Sequence, residues 1–197
     1  MDLYEAIKAR RSIHDFTTEM IDEALLKEII QIAGWAPNHR MKQPWKIKMF
    51  QQEGAEDFSQ LVIESYKRSG FTDGYSKEKT DKVMEGIKGF LVKIPHHALV
   101  YMEKDGNLHR FEEDYAAVCA FIQNIQLAAW GKGIGMLWTS SPYIYDETFI
   151  RGVGLDGKKH KAVAVLQMGY PAKIPQAKPR DQVLFEVEKN YFINSRC

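Results

Sequence analysis

Two short stretches of this chain collect the side chains that grip phosphate: Arg10, Arg11 and Ser12 in "KARRSIHDF", and Lys178 and Arg180 around Pro179. A guanidinium binds phosphate through two parallel hydrogen bonds, and a hydroxyl with loop amides completes such a cradle. The same arginines also suit the carbonyl end of a helix, whose partial negative charge attracts cations. Lys178 and Arg180 equally suit a solvated turn. The residues alone therefore leave two readings, a bound phosphate group or a capped helix with ordinary surface charge.

Other chemistries find less support. The six histidines include one adjacent pair, His96 and His97, but neighbouring residues on a strand point to opposite faces. No His-x-x-x-His or Glu-x-x-His helical pair occurs, so the reading assigns no metal ligands. The serines of "WTSSP" lack the glycine frame of a nucleophile elbow. Gly131, Gly133 and Gly135 in "GKGIGM" follow a helical stretch and precede a strand, the reverse of the order in a dinucleotide-binding turn.

The elements that must position these residues can be read from periodicity. With 197 residues, 45% hydrophobic and 27% charged, the chain suits one α+β domain over residues 1–197. A net charge of +1 argues against nucleic acid or an anionic membrane as partner, so any bound anion needs a local cluster. The start MDLYEAIKA has an early acid and no apolar signal-type run, and no stretch approaches membrane-spanning length, which points to the cytoplasm. Cys119 reads as a buried thiol in an apolar helix, and Cys197 ends the chain.

Leu3, Ala6, Ile7 and Arg10 share a helical face behind an Asp2/Glu5 capping box. A second helix is expected over residues 22–34, with Asp22 as N-cap, Leu25, Leu26, Ile29, Ile30 and Ala33 as its stripe, and Pro37 beyond it. "WKIKMF" alternates as a half-buried strand, and Phe58, Leu61, Val62, Ser65 and Tyr66 mark a third helix. Residues 69–88 are polar, contain Gly70, Gly74 and Gly86, and read as a surface excursion, either a mobile lid or a loop with a short helix. "HALVYME" is a second strand, and residues 112–130 form a helix apolar nearly all round, as expected in a central or intersubunit position. "GMLWTS" and "KAVAVLQMGYP" add strands around a short helix near residues 146–153. The aromatic tail Tyr191, Phe192 and Ile193 is expected to dock on the core or on a partner.

Taken in order, "RRSIHDF", "WAPNHRMKQPW", "GKGIGMLWTSSP", "QMGYP" and "KPR" resemble the FMN-dependent nitroreductase family, above all its compact bacterial members. The resemblance implies a mixed sheet flanked by helices in an intertwined homodimer, with FMN at the interface and touched by both subunits. Arg10, Arg11 and Ser12 match the triplet that meets the FMN phosphate, ribityl chain and ring edge, and Lys178 and Arg180 match a pair that adds phosphate contacts. Trp35 and His39 fall where relatives reach the flavin from the other subunit. Gln43 belongs to a Gln-Pro-Trp signature near the flavin, and by its residues alone it also reads as a turn opening the strand. Trp138, Thr139 and Ser140 match the segment that passes the ring and offers a backbone N–H to N5. Trp138 alone equally suits a core strand.

His14 stands where many members carry Arg or Lys, which implies a flavin contact that is either weaker or sensitive to pH. Met41 and Lys42 precede Gln43 where many relatives have an asparagine. The implied activity is ping-pong hydride transfer from NADH or NADPH through flavin N5 to a nitroaromatic, quinone or related acceptor. No protein side chain is required as a catalytic residue. A flavin reductase, dehalogenase or dehydrogenase of the same fold, or a non-catalytic flavin-binding redox sensor, are the alternatives.

Overall fold

The computed structural model describes residues 1–187, so the aromatic tail and Cys197 lie outside the described residues. Helix α1, Leu3–Ala9, opens on the expected capping box: Asp2 Oδ1 accepts from the Glu5 N–H at 2.9 Å, and Glu5 Oε2 accepts from the Asp2 N–H at 3.2 Å. Only Ala6 of this helix is buried, which leaves Leu3, Tyr4 and Ile7 in solvent. Helix α2, Glu23–Ala33, is capped by Asp22 and buries Leu26, Ile29 and Ala33 at helical spacing.

Strand β1, Lys46–Gln51, alternates as read. Trp45, Ile47 and Met49 pack on the core, while Lys48 turns outward to donate to the Val153 carbonyl at 2.7 Å. Helix α3, Glu53–Arg68, follows directly and buries Phe58 and Val62. The stretch read as an excursion departs from that expectation: a turn over residues 69–75 leads into a full helix α4, Lys77–Val92. Ser76 caps it, and Met84, Ile87 and Leu91 form an inward stripe at i, i+3 and i+7. Gly86 and Gly89 and the flanking lysines dilute that stripe, so its period is weak in the sequence.

Strand β2, His96–Glu103, leads into the long helix α5, Leu108–Gly131, which begins one turn earlier than expected because Asn107 accepts from the Arg110 N–H. Strand β3, Gly135–Thr139, helix α6, Glu147–Gly152, and strand β4, His160–Gly169, complete the described elements. Among the described residues the sheet runs β1-β2-β4-β3 with its strand pairs antiparallel, and its parallel component is a bridge from Ser12 to Met136 at the β3 edge. Alternate strand residues feed two cores. Ala98, Val100, Leu166 and Met168 meet α2 and α5 on one face, and Leu99 and Val165 meet α3, α4 and α6 on the other.

The glycines after α5 are structural. Gly133 has φ +79° and ends the helix, and a Cβ on Gly135 would stand 2.5 Å from Ile13 Cγ1 and 2.8 Å from Pro171 Cγ. That close approach lets the segment after α1 lie along β3. Cys119 is half-buried rather than enclosed, and burial still pushes its thiol pKa up.

Candidate functional site

Helix α1 ends at Arg10, whose backbone leaves helical geometry while its N–H donates to the Ala6 carbonyl at 3.0 Å. Arg11 then turns back: its Nη1 donates to the carbonyls of Lys8 at 2.7 Å and Arg10 at 2.8 Å. The capping reading thus holds for Arg11. Arg10 and the rest of the Arg11 side chain line a cleft of about 430 Å³ that they share with Lys178, Arg180 and Gln123 of α5. Two segments from opposite ends of the sequence meet there.

Among the described residues, no carboxylate lies within ion-pair distance of Arg10, Arg11, Lys178 or Arg180. Burial first, and then the charges of Arg11 and Arg180, draw the Arg10 pKa below its ordinary value. Like charges collected without a counter-charge describe an anion site. Ser12 follows on the exposed side, held by its backbone bridge to Met136 and by the Ile13 N–H donating to the Met136 carbonyl at 3.0 Å.

Farther along the same edge, His14 and Thr139 line one small pocket of about 200 Å³ together with Tyr143 and Gln167. Thr139 Oγ1 and the Tyr143 hydroxyl are 3.0 Å apart, and burial pushes the Tyr143 pKa up to about 12. Ser140 is exposed at the end of β3. Trp138 is half-buried against the α2–α5 core, which favours its structural reading.

Trp35, His39 and Gln43 gather elsewhere. Trp35, 84% exposed, and Gln43 border a groove of about 1030 Å³ between the end of α2, β1 and Phe121 of α5. Gln43 has φ +49°, and the preceding Arg40 and Met41 are left-handed too, a run that costs backbone energy in residues with side chains. Asn38 holds the loop by accepting from the Gln43 N–H at 2.8 Å, and Lys42 pins it to the buried Asp114. His39 Nδ1 lies 3.5 Å from Glu113 Oε1 in an adjoining charged hollow. One chain therefore carries two separate groups, a cationic edge with His14 and Thr139, and a Trp35–Gln43 loop.

Sequence reasoning missed Gln123, Tyr143 and Gln167. Gln123 interrupts the apolar run of α5 and Gln167 the run of β4, and a polar residue in such a place is the one signal that was available.

The nitroreductase family model matches residues 7–170. YfhC of Bacillus subtilis (strain 168), a protein named as an NAD(P)H nitroreductase, is 33% identical over 181 residues, covering 92% of this chain and 90% of the relative. The crystal structure of a nitroreductase-like family protein from Bacillus cereus superposes with a TM-score of 0.85 at 33% identity, covering 96% of this chain and 97% of that one. Iodotyrosine deiodinase bound to FMN and 3-iodo-L-tyrosine shares the fold, with a TM-score of 0.73 at 22% identity and coverage of 97% and 100%. The family match takes in Arg10, Arg11 and Ser12 as well as the Trp35–Gln43 loop, and the chain belongs to the nitroreductase family.

Proposed function

We propose that this chain is an FMN-dependent NAD(P)H oxidoreductase, a single flavin-binding domain that works as a homodimer. The observation that carries the reading is the cleft of Arg10, Lys178 and Arg180, whose cations have no acidic partner among the described residues. A phosphate monoester fits that donor set, being an anion that guanidinium groups bind through paired hydrogen bonds. Ser12 continues the cradle along the β3 edge toward His14, Thr139 and Ser140, a length and polarity suited to a polyol chain and a flat ring.

When bound, FMN supplies two-electron chemistry, accepting a hydride from NADH or NADPH and passing reducing equivalents to a nitroaromatic, quinone or related acceptor. The chain's own part is to bind and orient. Arg10, Lys178 and Arg180 anchor the phosphate, and His14 presents an imidazole toward the ring. The turn at Thr139 and Ser140 offers a backbone donor. Trp35, His39 and Gln43 come from the second copy and close the site. Their separation from the cationic edge within one chain, and the exposure of Leu3, Tyr4, Ile7 and Trp35, support an intersubunit site.

The described part of the chain has no helix long and apolar enough to cross a membrane, and we place the protein in the cytoplasm. The purified protein is expected to be yellow, or to take up FMN on titration, and to oxidise NAD(P)H with menadione or a nitrofuran. Flavin uptake without turnover would make it a binding or sensing dimer instead, and failure to take up FMN would overturn the reading.

A further inference from the structure

Gln167 lies in the middle of β4, 3% exposed, and its Oε1 has no hydrogen-bond partner. Buried amides in folded proteins are almost always paired, so this one calls for a partner. None of its neighbours on the same sheet face donates to that oxygen. Across β2 stands His97, whose Nε2 bonds the Leu91 carbonyl at 2.9 Å. A carbonyl only accepts, so Nε2 carries the proton and Nδ1 is left a bare acceptor, itself without a partner. Across β3 stands Leu137, which is apolar, and the Thr139 and Tyr143 hydroxyls bond each other and make no bond to Gln167 Oε1.

Gln167 also lines the pocket of about 200 Å³ that reaches His14 and Thr139, with Val62, Tyr66 and Leu91 among its walls. That volume takes one end of a flat ring, not a whole tricyclic system. The wanted group is therefore a ring edge that carries hydrogen-bonding atoms, set between apolar walls.

We infer that Gln167 reads the dioxopyrimidine edge of the flavin, pairing its carboxamide with the ring N3–H and an adjacent ring carbonyl. This rests on the FMN reading above and extends it to a residue outside the phosphate cradle. A carboxamide has one donor and one acceptor side by side, the complement of an imide edge, and the pairing forms two hydrogen bonds at once. The opposite, dimethylbenzene edge of the flavin has no polar atom and leaves the amide unpaired, so Gln167 selects which end of the ring enters the pocket. The amide itself is neutral at every working pH.

The test is equilibrium titration of flavin-stripped wild-type protein with FMN and with 3-methyl-FMN, followed by flavin fluorescence. The wild type is expected to bind 3-methyl-FMN about tenfold more weakly, because methylation removes the donor. Gln167→Ala is expected to lose about tenfold on FMN and to bind the two flavins alike, since it lacks the amide and leaves room for the methyl group. Equal binding of both flavins by the wild type overturns the contact, as does undiminished discrimination by Gln167→Ala. The wild-type comparison decides alone if the variant does not fold. Failure of the wild type to bind FMN at all removes the FMN reading and this contact with it, whereas FMN binding that is indifferent to methylation removes the contact only.

Discussion

Arg11 closes helix α1 by donating from Nη1 to the Lys8 carbonyl at 2.7 Å, and that single turn-back separates the duties of two adjacent arginines. With the Arg11 Nη1 spent on the helix end, Arg10 shares the cleft with Lys178 and Arg180 and has no such hydrogen bond of its own among the described residues.

The two arginines should therefore fail differently. Arg11→Ala loses two hydrogen bonds from a charged donor and is expected to lower stability by about 1–2 kcal/mol in urea unfolding. Arg10→Ala is expected to change stability by less than about 0.5 kcal/mol while weakening FMN binding by about tenfold or more. Equal losses of stability in the two variants would mean that both residues are caps.

A site shared between subunits has its own signature. Mixing Arg10→Ala subunits with His39→Ala subunits leaves one site of each heterodimer with both wild-type residues. Flavin occupancy in the mixture should exceed that of either variant alone. Occupancy equal to the average of the two would refute cross-subunit binding.

Acid should destabilise the protein through its histidine pair. Burial holds His96 and His97 neutral, with each pKa lowered to about 4 from an ordinary 6.5. The His96 tautomer is set on both sides: Nε2 accepts from the Ile21 N–H, so Nδ1 carries the proton and donates to Gln51 Oε1. Between pH 6.5 and 4 the unfolded chain binds more protons than the folded one, so the stabilisation is full above pH 6.5 and falls as pH drops toward 4. The loss is on the order of 3 kcal/mol per ring. His97→Leu, which cannot titrate, should flatten part of that slope in urea midpoints measured from pH 7 to 4.

Lys42 should prove a stability residue of the strained loop. Asp114 is buried, and Lys42→Ala leaves its carboxylate unpaired, at an expected cost of about 3 kcal/mol. Lys42→Ala with Asp114→Asn should recover much of that loss. A single variant as stable as wild type would show that Asp114 finds water.

Gly135→Ala tests the packing of the cradle onto β3. Its Cβ would meet Ile13 and Pro171, and overpacking of this kind costs about 1–3 kcal/mol. Because Ile13 follows Ser12, FMN binding should weaken together with the fall in Tm.

The sequence predicts local structure where the chemistry is local. Asp2 with Glu5, and Asp22 before its helix, predict their caps because a capping side chain bonds a backbone amide two or three residues away. Trp45, Ile47 and Met49 predict their strand because period two survives in the sequence. Helix α4 was obscured because its stripe of Met84, Ile87 and Leu91 is thin and two glycines interrupt it. The order of the "GKGIGM" glycines does not fit a dinucleotide-binding turn, and their reason, Ile13 and Pro171 pressed on Gly135, is a contact between distant segments.

By itself the sequence determined most of the elements, though not helix α4, and which residue types could bind an anion, since propensity, capping and side-chain chemistry act over a few neighbouring residues. Only the tertiary structure decided that the Arg11 rather than the Arg10 side chain closes α1, that Lys178 and Arg180 return to Arg10, and that Gln167 lines a pocket with its amide oxygen unpaired. Those outcomes depend on strand register and on which side chains already have partners. Both are set by packing between segments far apart along the chain.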